Sequence, residues 1–197
     1  MLTEALPVLR RDPVMAELIE THDPYDEPAW TEYERLCISI IKQQLSTASA
    51  TAIRERVFDH FDGELTPEAV LAADDDTLLT AGLSGRKLDY LRNAARAFSV
   101  HDFTREGLAD YSNREVVDRL TEIKGIGEWT ARMYLLFVLR RPDILPLGDL
   151  AVRRAIEQRY GDGAEMTRGE MREVADQWRP YRSVATRYLW AAYEAES

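Results

Sequence analysis

The sequence predicts an all-α fold of about ten short helices in two lobes. Apolar residues recur at helical spacing along most of the chain, strand-like alternation is scarce, and helix-start residues recur between the apolar runs. Trp30, Tyr33, Cys37, Ile40 and Ile41 share one helical face. Residues 46–62 read as a helix with Ala50, Ile53, Val57 and Phe61 turned inward. Thr66-Pro67-Glu68 is a helix start, with a capping hydroxyl and proline in the first turn. Leu88, Leu91, Ala95 and Phe98 form the next apolar stripe. Helices over 113–122 and 128–140 are separated by a glycine-containing turn, and Tyr134–Leu139 is apolar all round, so it is predicted to run through the core. Helices at about 149–160, 167–178 and 182–195 complete the chain. The expected lobes are 30–140, with a hairpin at 120–131, and 1–29 together with 141–197.

Composition removes several function classes. The lone cysteine, Cys37, cannot form an internal disulfide or hold an iron–sulfur cluster. His22, His60 and His101 are isolated from other ligand-type residues, which argues against a transition-metal site. No apolar run is long enough to span a bilayer, and the N-terminus lacks the pattern of a secretory signal, so a cytoplasmic protein is expected.

The net charge of −10 argues, on its face, against nucleic acid as a partner. Only three of the 25 basic residues are lysine, namely Lys42, Lys87 and Lys124. An acid-rich, lysine-poor surface suits a high-salt cytoplasm. Phosphate attraction weakens as salt rises. A DNA-binding face would therefore be a local basic patch on an acidic body, aided by hydrogen bonds, wedges and stacking.

The segment Leu120-Thr-Glu-Ile-Lys-Gly-Ile-Gly-Glu-Trp-Thr-Ala131 carries the most specific local pattern. Gly125 and Gly127 flank Ile126, a plug for the core, and lead straight into a helix N-terminus. Unpaired N–H groups and the helix dipole there suit a phosphate and need no positive side chain. A bare Gly-x-Gly is also an ordinary turn; the apolar flanks Leu120, Ile123, Trp129 and Ala131 give it the pattern of a helix-hairpin-helix. Downstream, Ile144-Leu-Pro-Leu-Gly-Asp-Leu-Ala-Val-Arg153 places Asp149 at a helix start. An N-cap role accounts for it, and a chemical role is compatible with that one.

The stretch from Leu120 to Ile156 resembles the hairpin and Gly/Pro-rich loop with aspartate of the helix-hairpin-helix DNA glycosylase superfamily, closest to 3-methyladenine DNA glycosylase II of the alkylation-repair branch. Ile40-Ile-Lys-Gln-Gln-Leu-Ser46, Ala81-Gly-Leu-Ser-Gly-Arg-Lys-Leu88 and Trp178-Arg-Pro-Tyr-Arg-Ser183 with Trp190 resemble further segments of that family, in its order. The resemblance implies the two-lobed helical glycosylase fold without the extra N-terminal α/β domain. It implies a monofunctional enzyme that flips an alkylated base, such as 3-methyladenine or 7-methylguanine, out of damaged double-stranded DNA and hydrolyses its N-glycosidic bond. It implies Asp149 as the catalytic carboxylate, and Lys124, Gly125, Ile126, Gly127 and Thr130 as the phosphate-binding hairpin. Trp129, Met133 and Trp190 would line the base pocket, and Gln43, Gln44, Leu45 and Ser46 would wedge into the vacated stack. A structural Na+ or K+ is implied on the backbone carbonyls of Thr121, Ile123 and Ile126; no other cofactor is required. A monomer is expected. Trp129 stands where the bifunctional branches carry an attacking lysine, so β-lyase chemistry is not expected. Two alternatives stay open: excision of a deaminated, oxidised or mismatched base, and a non-catalytic DNA-binding module using the hairpin alone.

Overall fold

The computed structural model of the chain describes residues 2–24 and 29–196; positions 1, 25–28 and 197 of the expected terminal lobe lie outside the described residues. Secondary structure among the described residues is entirely helical. The chain divides into two compact units, one comprising Met1–Pro28 and Arg140–Ser197, the other Ala29–Leu139.

The first unit holds α1 (Leu2–Leu9), α2 (Pro13–Thr21), α10 (Leu150–Tyr160), α11 (Arg168–Asp176) and α12 (Arg182–Ala195). Its core brings Leu9, Met15 and Leu18 against Val152, Ile156, Met171, Trp178, Val184 and Leu189. Asp12 ties the distant chain segments together. Its Oδ1 accepts the Val14 N–H at 3.0 Å, capping α2. Its Oδ2 accepts the Tyr160 hydroxyl at 2.6 Å and the Trp178 indole N–H at 2.8 Å. A carboxylate buried to this degree is tolerated because every partner is a hydrogen-bond donor.

The second unit holds α3 (Glu32–Lys42), α4 (Thr47–His60), α5 (Pro67–Ala72), α6 (Asp75–Thr80), α7 (Gly85–Val100), α8 (Asn113–Thr121) and α9 (Glu128–Met133). Hydroxyl caps start α3, α4, α5, α7 and α8: Thr31 and Ser112 form reciprocal boxes with Glu34 and Glu115, and Thr66 caps α5 ahead of Pro67. Tyr33, Cys37, Ile40 and Ile41 are buried as their spacing predicts, and burial pushes the Cys37 thiol pKa up, so this cysteine is inert packing.

The apolar segment after α9 departs from the expected continuous helix over 128–140. Tyr134–Val138 form a π-helical turn, in which the Leu139 N–H reaches back to the Tyr134 carbonyl at 3.0 Å. Side chains hold the widened turn in place: the Tyr134 hydroxyl donates to the Phe103 carbonyl at 2.6 Å, and Arg105 donates twice to the Val138 carbonyl. The segment is buried as predicted, apart from Phe137, whose ring lies 4.0 Å beneath the Arg35 guanidinium. No helix among the described residues is long and apolar enough to cross a membrane.

Candidate functional site

In the first unit, Asp149 is the N-cap of α10, and its Oδ1 accepts the Val152 N–H at 3.0 Å. The same oxygen accepts the indole N–H of Trp190 from α12 at 3.0 Å. Two donors from different helices fix both the position and the plane of this half-buried carboxylate.

The approach to Asp149 is sewn to α12 along its length. Arg182 grips Asp143 through Nε at 2.6 Å and Nη2 at 3.0 Å, a bidentate pair. Ser183 Oγ accepts the Ile144 N–H at 2.9 Å and donates to the Arg141 carbonyl at 2.6 Å. Thr186 Oγ1 reaches the Ile144 carbonyl at 3.5 Å. Arg182, Thr186 and Trp190 are spaced by four, so one stripe of α12 positions residues 143, 144 and 149 in turn. The Asp149 N–H closes the loop by donating to the Pro146 carbonyl at 2.9 Å. A Cβ on Gly148, just before the carboxylate, would meet open space.

In the second unit, the turn between α8 and α9 has two glycines with different reasons to be glycine. Gly125 has φ +105°, a left-handed conformation, and a Cβ there would fall 2.2 Å from Cγ of the Tyr90 ring. Gly127, the N-cap of α9, has φ −94° and ψ 175°, which any residue adopts, and a Cβ there would meet nothing within 4 Å. Nothing in the chain itself requires a glycine at 127. Ile126 is buried, as a plug should be.

The turn is braced from behind. Gln43 Nε2 donates to the Gly125 carbonyl at 3.0 Å and to Thr130 Oγ1 at 3.1 Å, and Asn93 Nδ2 donates to the Lys124 carbonyl at 3.1 Å. This corrects two expectations. Gln43 is not aimed outward as a wedge; its amide is spent on the hairpin. Thr130 is 1% exposed, so its hydroxyl meets Gln43 and not a phosphate. Gln44, at φ +56°, turns the chain back on itself, Leu45 is 39% exposed, and Ser46 caps α4. Those three residues are exposed.

Trp129 is half-buried on α9, while Met133 is buried in the core of its unit and presents little surface to a base. Lys124 is exposed at the turn. Lys87 donates to the Ile41 carbonyl at 2.6 Å near the end of α3, and partial burial lowers its pKa.

The hairpin carbonyls of Thr121, Ile123 and Ile126 are hard oxygen donors of the kind alkali cations take. That of Ile123 accepts the Ile126 N–H at 2.9 Å, using one of its two lone pairs. Among the described residues, no group of three or more His, Cys, Asp or Glu side chains could hold a metal ion.

Residues 37–180 match the family described as HhH-GPD superfamily base excision DNA repair protein. The chain is 34% identical over 165 residues to DNA-3-methyladenine glycosylase 1 of Schizosaccharomyces pombe, covering 80% of this chain and 71% of that protein. It is 30% identical over 176 residues to the DNA-3-methyladenine glycosylase of Saccharomyces cerevisiae, covering 85% of this chain and 59% of the yeast protein. Among solved structures, the S. pombe 3-methyladenine DNA glycosylase in complex with abasic DNA superimposes with a TM-score of 0.85 at 30% identity, over 97% of each chain.

Proposed function

Because the chain belongs to the HhH-GPD superfamily of base excision DNA repair proteins, we propose that it is a monofunctional DNA glycosylase that hydrolyses the N-glycosidic bond of alkylated bases, chiefly 3-methyladenine. The observation that carries this reading is the Asp149 carboxylate, held on one oxygen by Val152 and Trp190.

Cleavage of the bond between the base nitrogen and the sugar leaves positive charge on the sugar. The electron pair goes to the base, which alkylation has made cationic and therefore a good leaving group. A fixed carboxylate stabilises the developing charge electrostatically, and it can take the proton of the water that adds to the sugar carbon. Its rigid seat matters because a preorganised group needs no reorganisation as the charge appears.

The second unit supplies grip. The open face of Gly127 and the start of α9 would receive a backbone phosphate, with Lys124 beside it. A monovalent cation on the Thr121, Ile123 and Ile126 carbonyls would add positive charge to that phosphate site. Leu45, presented by the Gln44 turn, would fill the gap left by the flipped nucleotide, offsetting part of an extrusion cost of about a few kcal/mol. Trp190 would combine two tasks, holding Asp149 and offering an aromatic face to an electron-poor base. The protein would act as a monomer on damaged duplex DNA in a high-salt cytoplasm, a setting its acid-rich, lysine-poor composition supports.

Incubating the protein with methylated genomic DNA and identifying the freed bases by chromatography tests the reading. Release of 3-methyladenine is expected. Excision confined to uracil or oxidised guanine duplexes would contradict it.

A further inference from the structure

A basic cleft of about 490 Å³ lies within the second unit, between the C-terminal halves of α7 and α8 and the start of the hairpin. We propose that it is a second seat for the DNA backbone, extending the protein's grip on the duplex beyond the hairpin; the proposal rests on the glycosylase reading above.

The cleft is lined by Arg96, Arg119 and Lys124, with His101 beside them and Glu122 as its one carboxylate. At neutral pH that is a surplus of positive charge on a chain whose net charge is −10. Such concentration against the average is what a polyanion would recognise. Its floor includes Ala97 and Ile123, and Val100 at its edge is 73% exposed, an apolar surface suited to deoxyribose between phosphates.

The two arginines are held by neutral groups. Arg96 Nη1 donates to Asn93 Oδ1 at 3.1 Å, and the Nδ2 of the same Asn93 donates to the Lys124 carbonyl, so the guanidinium is coupled to the hairpin backbone. The Arg119 guanidinium stacks 4.1 Å from the centre of the Tyr111 ring. Elsewhere Arg92, Arg132 and Arg182 are closed off by carboxylates. Arg96, Arg119 and Lys124 form no ion pair among the described residues; the Glu115 carboxyl on α8 feels the Arg119 charge, and Glu122, just past the end of α8, lines the cleft. Preorganised, unneutralised guanidinium groups suit phosphate oxygens. Lys124 belongs to both the hairpin and the cleft, so a strand held at one continues to the other.

The test is the salt dependence of binding to long and short duplexes carrying a central abasic analogue, for the wild-type protein, Arg96→Ala/Arg119→Ala and Arg119→Ala alone. On the long duplex the double variant is expected to bind at least about tenfold more weakly at low salt, and its log–log salt slope to be shallower by about 1.8, from about 0.9 per phosphate contact. The single variant should lose half of that. Arg96→Lys/Arg119→Lys, which retains both positive charges, should keep the slope, and Arg114→Ala, exposed on the same helix as Arg119 but paired with Asp118, should not alter it. On a duplex trimmed to the hairpin's reach, wild type and double variant should converge. An unchanged slope for a folded double variant, while wild type binds, overturns the cleft assignment alone; wild-type protein that binds no abasic duplex overturns the glycosylase reading itself.

Discussion

The Trp190 indole nitrogen lies 3.0 Å from Asp149 Oδ1, the oxygen that also caps α10 through Val152. A residue at the C-terminal end of the chain thereby sets the direction of the carboxylate. Trp190→Phe keeps an aromatic face and removes the donor. Single-turnover excision should fall roughly tenfold, the value of one hydrogen bond to a charged acceptor, about 1.5 kcal/mol. Affinity for abasic DNA should change little. An unaltered rate would show that the hydrogen bond does not position the carboxylate.

The paired glycines should separate folding from binding. Gly125→Ala forces a left-handed alanine against the Tyr90 ring and should cost about 3 kcal/mol of stability. Gly127→Ala meets no neighbour, so its stability should stay within about 1 kcal/mol of wild type, weaker capping being offset by a less flexible unfolded chain. Its DNA affinity should nevertheless drop, alike for all sequences. Thermal melts and binding isotherms on both variants check this; normal binding by Gly127→Ala would remove the phosphate from that face.

Gln43 and Leu45 should behave differently despite lying two residues apart. Gln43→Ala strips the hydrogen-bond donor from the Gly125 carbonyl and Thr130 and should destabilise the unit by about 1–2 kcal/mol. Leu45→Ala removes an exposed side chain, should leave stability unchanged, and should slow excision from paired DNA more than from a mismatched site, where extrusion costs less. Equal effects on paired and mismatched sites would exclude the wedge.

Asp12→Ala leaves the Tyr160 hydroxyl and the buried Trp178 indole N–H without their acceptor. A loss of about 3–5 kcal/mol is expected by chemical denaturation. A loss below about 1 kcal/mol would mean that water replaces the carboxylate.

Local chemistry was legible in the sequence wherever one segment decides the outcome. Thr66-Pro67 starts α5, Gly125 and Gly127 mark the turn between α8 and α9, and Asp149 caps α10. Partnerships across long separations were not legible. Nothing near Gln43 announces that its amide closes on a turn more than eighty residues away, so it read as one of four wedge residues. Thr130 read as a phosphate ligand because its place beside the turn is visible in sequence and its burial is not. The role of the segment from Trp178 to Trp190 lies in long-range contacts, by which Arg182, Ser183, Thr186 and Trp190 clamp the loop leading to Asp149. The π-turn after α9 escaped for a related reason, since its holding groups, Arg105 and the Phe103 carbonyl, lie far upstream.

Single-turnover release of 3-methyladenine by Asp149→Asn, measured beside that variant's affinity for abasic DNA, tests the account at its centre. The substitution keeps a hydrogen-bond acceptor for Val152 and Trp190 while removing the negative charge. The account predicts that base release is abolished and abasic-DNA binding persists. Substantial excision by the variant would contradict it.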